Sequence, residues 1–338
     1  MHEKEHRPFG VGCIDLAQPR LGACVITASD EFFGAKERML NPADPVFIAD
    51  RFDAHGKWMD GWETRRRRTP GHDHAVIKLG RPGVIRGINI CTRYFTGNFP
   101  PAASVEACRI SGDPDAATPW QILLDQVALS GDCNNLFRVQ NDSVWTHLRL
   151  NIYPDGGIAR LRVYGEVRPD WSLWPADQEI DLAAMENGGR ALACNDAHFG
   201  AMENLIAPGD ALNMGDGWET RRRREPGHDW VIIALAHPGS VSRIEVDTLH
   251  FKGNYPDQCA LQATYLRERE SAELVPQSLF WEALLPKQRL EANRLHCFAD
   301  ALIQRGPVSH VRLDIFPDGG VARLRVWGKL HRPGTANE

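Results

Sequence analysis

Residues 60–74 read DGWETRRRRTPGHDH, which packs a Trp, a Glu, four consecutive Arg, a Pro-Gly turn, a His and an Asp into fifteen positions. A plain core strand alternates apolar and polar residues, and this block does not. An Arg guanidinium forks onto a carboxylate or a urea-type carbonyl. A His changes charge near neutral pH, and with an adjacent Asp it can serve as acid or base. The candidates for proton transfer are His72 with Asp73, and Glu63 as the rival base; Trp62 and Arg65, Arg66, Arg67 and Arg68 are the candidates for holding a substrate. On a strand, four consecutive Arg would divide two to each face, so half of the run at most can serve one site. The competing reading is an Arg-rich solvated edge closed by a His-Asp turn.

The block recurs at residues 216–230 as DGWETRRRREPGHDW, identical at 13 of 15 positions. It supplies a second set: His228, Asp229, Glu219, Arg221, Arg222, Arg223, Arg224 and Trp218. A merely solvated edge has no physical reason to stay identical while its flanks diverge. At the same offset of 156, YFTGNFP (94–100) matches HFKGNYP (250–256). The amides of Asn98 and Asn254 can pair with a ureido group, which has both a carbonyl and N–H donors. An ordinary Gly-Asn turn beside an aromatic core residue is the alternative. His72-Asp73-His74 looks like a metal triplet, but His74 aligns with Trp230, and adjacent strand residues face opposite ways. His147 and His310 also align; each opens an apolar segment and reads as structural. No residue is assigned as a metal ligand, no cofactor is expected, and a divalent metal stays open. There is no nucleophile elbow, P-loop or GxGxxG context.

The elements that must position these residues are duplicated too. HLRLNIYPDGGIARLRVYG (147–165) matches HVRLDIFPDGGVARLRVWG (310–328) at 14 of 19 positions. Near the starts, IDLA recurs at 14–17 and 180–183. The chain therefore divides into an N-terminal tail (1–13), a first repeat (14–168), a linker (169–179), a second repeat (180–330) and a C-terminal tail (331–338). Copy one alone carries an extra segment, Pro45–Met59; copy two carries extra residues between Pro256 and His310. Leu148, Leu150 and Ile152 alternate with polar neighbours, as do Leu161 and Val163 after Pro154-Asp155-Gly156-Gly157, so each copy is expected to close on a hairpin. Val231–Leu235 suits a buried strand, and residues 278–299 are the best helix candidate. Many short strands with Gly/Pro turns predict a mainly β fold, a tandem duplication of a sandwich or jelly-roll module.

Composition narrows the function. Asp+Glu exceed Lys+Arg by 44 to 39 in 338 residues, so the chain is a poor general polyanion binder and no nucleic-acid partner is expected. Seven of the 39 basic residues are Lys and the rest Arg. The N-terminus lacks an apolar core and the longest apolar run is short, so a cytoplasmic protein without a membrane partner is expected. The eight cysteines show no CxxC spacing and no pair recurs in both copies, which reads as free thiols.

On the paired DGWETRRRR…PGHD blocks, FxGNxP loops and PDGGxARLRV segments, and on DEFFGAKERML (30–40), the chain resembles the allantoicase (allantoate amidinohydrolase) family over nearly its whole length. The resemblance implies two galactose-binding-like jelly-roll modules and a homo-oligomer. It also implies hydrolysis of allantoate to (S)-ureidoglycolate and urea in purine degradation. Allantoate carries a carboxylate and two ureido groups on one carbon. Releasing intact urea needs a proton on the leaving nitrogen, an activated water and a cation on the carboxylate. His72 or His228 would act as acid or base, Asp73 or Asp229 would orient it, and the Arg runs would clamp the carboxylate. Two equivalent sites, one surviving site or one between the modules all remain open, as do a non-catalytic ligand-binding protein and a hydrolase of a related ureido acid such as ureidoglycolate.

Overall fold

The computed structural model describes residues 9–175, 177–266 and 273–332. Two compact units, Met1–Pro169 and Asp170–Glu338, make up the chain. The first contains β1 (Ile14–Asp15), β2 (Cys24–Ala28), β3 (Phe52–Asp53), β4 (Gly56–Lys57), β5 (Trp62–Glu63), β6 (Asp73–Cys91), β7 (Ala102–Cys108), β8 (Gln121–Ala128), β9 (Asn134–Arg138), β10 (Val144–Tyr153), β11 (Gly157–Ile158) and β12 (Arg160–Val167). The second contains β13 (Ile180–Asp181), β14 (Arg190–Cys194), β15 (Trp218–Glu219), β16 (Asp229–Asp247), β17 (Gln258–Thr264), α1 (Leu274–Ser278), β18 (Glu282–Arg289), β19 (Leu295–Phe298), β20 (Val308–Phe316), β21 (Gly320–Val321) and β22 (Arg323–Leu330). Both are antiparallel jelly-roll modules of matching topology, as the mainly β tandem reading expects.

The long strand β6 organises the first module. Its first half pairs with β2 and β10, and its second half with β9 and β12. Ile152 lies opposite Asp73 at one end of β6, and Arg160 lies opposite Cys91 at the other. Those partners are only eight residues apart, so the two ends of β6 must come to the same rim. The strand therefore folds over at Gly80–Gly83 and contributes to both layers of the sandwich. Ile77, Leu79, Ile88 and Ile90 point into the core with Leu148, Leu150, Ile152 and Val163, and none is more than 3% exposed. Each such side chain contributes about 1.5–3 kcal/mol. β16 does the same in the second module, with Ile315 opposite Asp229 and Arg323 opposite Asp247.

Two expectations need correction. The segments either side of Pro154–Gly157 are not a hairpin: β10 and β12 pair with different halves of β6, not with each other. Alternation reports one buried face and cannot tell a hairpin from a corner that joins two layers. The helix expected over 278–299 does not form: the single turn α1 ends at Ser278, and β18 and β19 occupy the stretch beyond it. Leu285 sits opposite Leu261 of β17, so sheet pairing overrides local preference. The expected linker also packs on the second unit, where the Trp171 ring lies 5.3 Å from His237. All eight cysteines are free. No helix among the described residues is long and apolar enough to cross a membrane.

Candidate active site

The repeated block can be sorted by the work each side chain does. Asp60 accepts from buried Arg160 at 2.7 Å, and Asp216 accepts from Arg323 at 2.9 Å. Trp62 and Trp218 are completely buried, and each indole donates at 2.8 Å to a carbonyl, of Asp30 and Asp196 respectively. They are core residues and cannot touch a substrate, which corrects their assignment. Asp30 grips Arg65 at 2.7–2.8 Å, and Asp196 grips Arg221 at 2.9 Å. The Thr64 hydroxyl accepts from the Gly156 amide, and the Arg67 amide donates to Asp155. Thr220 and Arg223 repeat both contacts with Gly319 and Asp318. Most of the block is thus bonded into the corner after β10 or β20.

The Arg runs are not strands, since they lie between β5 and β6 and between β15 and β16. They still divide two and two. Arg65 and Arg67 turn back to carboxylates, whereas Arg66 and Arg68 are exposed and make no ion pair or hydrogen bond among the described residues; Arg222 and Arg224 are likewise exposed. The His-Asp dyads do not form. Asp73 is buried, accepts from Ser29 Oγ at 3.0 Å and lies 3.5 Å from Arg67. Asp229 is held by Asn195 and Arg223. Neighbours along a chain point to opposite sides, so each Asp goes inward while each His goes outward.

His72 instead packs on Tyr153, with ring centroids 4.7 Å apart, at the edge of a cleft of about 610 Å³. That volume suits a small ligand. The cleft lies on the outer face of the β6–β10–β7 sheet, where cross-strand pairing sets His74 beside Asn151 and Asn151 beside Ser104. One register step along, Arg149 Nε donates to Glu106 at 2.7 Å, which leaves its terminal nitrogens for a ligand. Asn151 Nδ2 donates to Glu106 at 2.9 Å, and Ser104 Oγ lies 2.9 Å from the Tyr153 hydroxyl. Arg67 closes one side. Burial, then the Arg149 cation and His72, lower the His74 pKa. The Arg149 hydrogen bond holds Glu106 ionised to lower pH than an ordinary Glu.

The same rank in the second module reads Trp230, Asp314 and Ala260. Arg312, the counterpart of Arg149, lies 4.8 Å over the Trp230 ring. It donates to Asp314 at 2.8 Å and to Ser278 of α1 at 3.0 Å. Its side chain is 5% exposed, against 31% for Arg149. His228 Nε2 lies 3.2 Å from Asp314. Leu274 of α1 packs with Ile232 and Trp230. The extra residues of copy two therefore cover the face that copy one leaves open.

Glu63 and Asn98 are not in the His72 cleft. Asn98 Nδ2 donates to Glu63 Oε1 at 2.7 Å, and both line a separate cavity. Burial pushes the Glu63 pKa up. The second module repeats the bond between Asn254 and Glu219 at 2.5 Å. Repeat identity alone points away from His74, Ser104, Glu106, Arg149, Asn151 and Tyr153, because most of them change between copies; the outward parity of β6, β7 and β10 is the signal that groups them. Among the described residues no three His, Cys, Asp or Glu converge as metal ligands.

The allantoicase repeat model matches residues 14–168 and 180–331. A probable allantoicase of Pseudomonas aeruginosa (strain LESB58) is 57% identical over 97% of this chain and 99% of its own. Probable allantoicase 1 of Burkholderia mallei is 55% identical over 94% of this chain and 95% of its own. The crystal structure of allantoicase from Saccharomyces cerevisiae superposes with a TM-score of 0.79 at 34% identity, covering 96% of this chain and 97% of that one.

Proposed function

The chain belongs to the allantoicase family and is a hydrolase, and on that premise we propose that it cleaves allantoate in the outer-face cleft of its first module. One observation carries this reading: the cleft brings cations, amide-type donors and two imidazoles onto one surface, and the second module fills the same surface with Trp230 and α1.

The substrate carboxylate pairs with the free end of Arg149 and with Arg67, an arrangement that replaces the expected clamp by the whole Arg run. Asn151 and Ser104 meet the ureido groups. His72 donates a proton to the ureido nitrogen as the C–N bond breaks, so the leaving group departs as neutral urea. His74, biased to its neutral form, takes a proton from water as the water oxygen bonds to the central carbon. Ureidoglycolate and urea leave, and the proton passes from His74 back to His72 through solvent. Protons balance over one cycle with one water consumed.

The test is urea release from allantoate by His72→Ala, His228→Ala and the double variant. The expected result is a loss of about 10²–10⁴-fold for His72→Ala, wild-type turnover for His228→Ala, and a double variant no worse than His72→Ala. Wild-type rates in all three would remove the His72 role. Running ureidoglycolate beside allantoate separates the reading from a hydrolase of that acid.

A further inference from the structure

The cavity that holds Glu63 and Asn98 is left over by this mechanism. It encloses about 580 Å³, and its walls include Phe47, Lys57, Met59 and Tyr94. Three of these four come from Pro45–Met59, a stretch about ten residues longer than its counterpart in copy two. The segment is anchored firmly. The Val46 amide donates to Asp60 at 3.0 Å, and Trp58 lies under Arg51 at 3.9 Å and near Arg38 at 5.4 Å. Phe47 stacks on Tyr94 with ring centroids 5.9 Å apart, and Lys57 Nζ lies 4.5 Å from the Phe47 ring. Tyr94 holds a left-handed backbone (φ 70), as does His250 at the matching position (φ 72). A non-glycine residue there costs of order 1–3 kcal/mol. Both modules hold that strained turn beside their Glu-Asn pair.

We propose that the Glu63–Asn98 cavity is a second ligand site, separate from the His72 cleft, and that it takes a ureido group. The pair's geometry fits that chemistry. Asn98 spends one N–H on Glu63 Oε1. Its second side-chain N–H and its side-chain carbonyl, together with Glu63 Oε2, make no further hydrogen bond among the described residues. A ureido group offers adjacent N–H donors to the Glu63 carboxyl and a carbonyl oxygen to the Asn98 amide. The flat aromatic wall suits a planar ligand, and Lys57 at the rim can meet a carboxylate attached to it. The source is either free urea or the ureido arm of allantoate.

The readout is the Met59 methyl in protein labelled with ¹³C-methyl methionine, with its resonance assigned by Met59→Leu. Urea, allantoate and acetate are titrated separately, the allantoate into His72→Ala to prevent turnover. The site predicts a saturable Met59 shift with urea and with allantoate, and none with acetate. Tighter binding of urea assigns the site to product, and tighter binding of allantoate assigns it to the substrate arm. Asn98→Leu should weaken binding by about tenfold. Phe47→Ala, at an exposed position, should weaken it similarly. A silent Met59 methyl with urea, or a shift with acetate alone, overturns the proposal. A collapse of kcat in Phe47→Ala overturns it too, because the cavity would then be the reaction site. This reading does not depend on the catalytic one: activity surviving in His72→Ala overturns that assignment and leaves the methyl shifts to be judged alone.

Discussion

Writing the second module's residue into the first, as His74→Trp, tests where the reaction occurs. His74 sits opposite Asn151 on the outer face of β6, and Trp230 occupies the matching place opposite Asp314. A Trp is therefore compatible with this backbone, and the change is expected to cost less than about 1 kcal/mol of stability. It removes the proton acceptor, worth about 10²–10⁴-fold, or roughly 3–5 kcal/mol of barrier. It also places an indole where the ligand must lie. His74→Asn separates the two effects: it loses the acceptor but keeps the space, so its kcat falls with little change in KM, whereas His74→Trp loses binding as well. The assay is initial-rate urea release across allantoate concentration, with thermal melts as the folding control. The pH profile gives an independent sign. Burial and the Arg149 cation disfavour protonation of His74, so its neutral form persists below the ordinary histidine value. The acid limb of kcat/KM then falls below about pH 6.5, and Arg149→Leu moves it upward. Wild-type kcat/KM in His74→Trp would refute the reasoning and move the chemistry to the Glu63 cavity or the second module.

Other outcomes follow from pairs already described. Asp60→Ala strips the counter-charge from Arg160, which is 2% exposed, and should cost about 3–5 kcal/mol in denaturant unfolding of the first module. Asp142→Ala, which breaks an exposed pair with Arg86, should cost under about 1 kcal/mol. Burial raises the Asp181 pKa to about 6 from 3.8. Its stabilising protonated form is complete below pH 3.8 and lost as pH rises through about 6, so Asp181→Asn should remove that part of the second module's stability-pH slope, roughly 3 kcal/mol in full.

Duplication made the modules and their β class legible, because comparing the copies marks insertions and strand boundaries together. It misled about the site. Identity between copies selected Trp62, Arg65 and Asp73, which the structure ties to Asp30 and Ser29 for the sake of the fold. Arg149 and His74 were hidden for the opposite reason. Arg149 sits in an ordinary alternating strand, and His74 differs from its counterpart. Only cross-strand register brings them together, and register is a long-range property that alternation in one strand does not carry. The false hairpin has the same origin.

The corner Pro154–Gly157 has a consequence for how the protein tolerates mutation. Asp155 receives the Arg67 amide, Gly156 exchanges bonds with Thr64, and the Gly157 amide donates to the Asn98 carbonyl at 2.7 Å. One tetrapeptide thus fastens the loop of the His72 cleft and the loop of the Glu63 cavity. A Cβ on Gly157 would meet the Phe95 ring at 2.0 Å, and one on Gly320 would meet Phe251 at 1.9 Å. A saturation scan should find these glycines as intolerant as any proton-transfer residue, and in both modules alike. Damage there would register as simultaneous loss at two cavities, the signature of a shared hinge pin, whereas damage to chemistry stays confined to one cavity of one module.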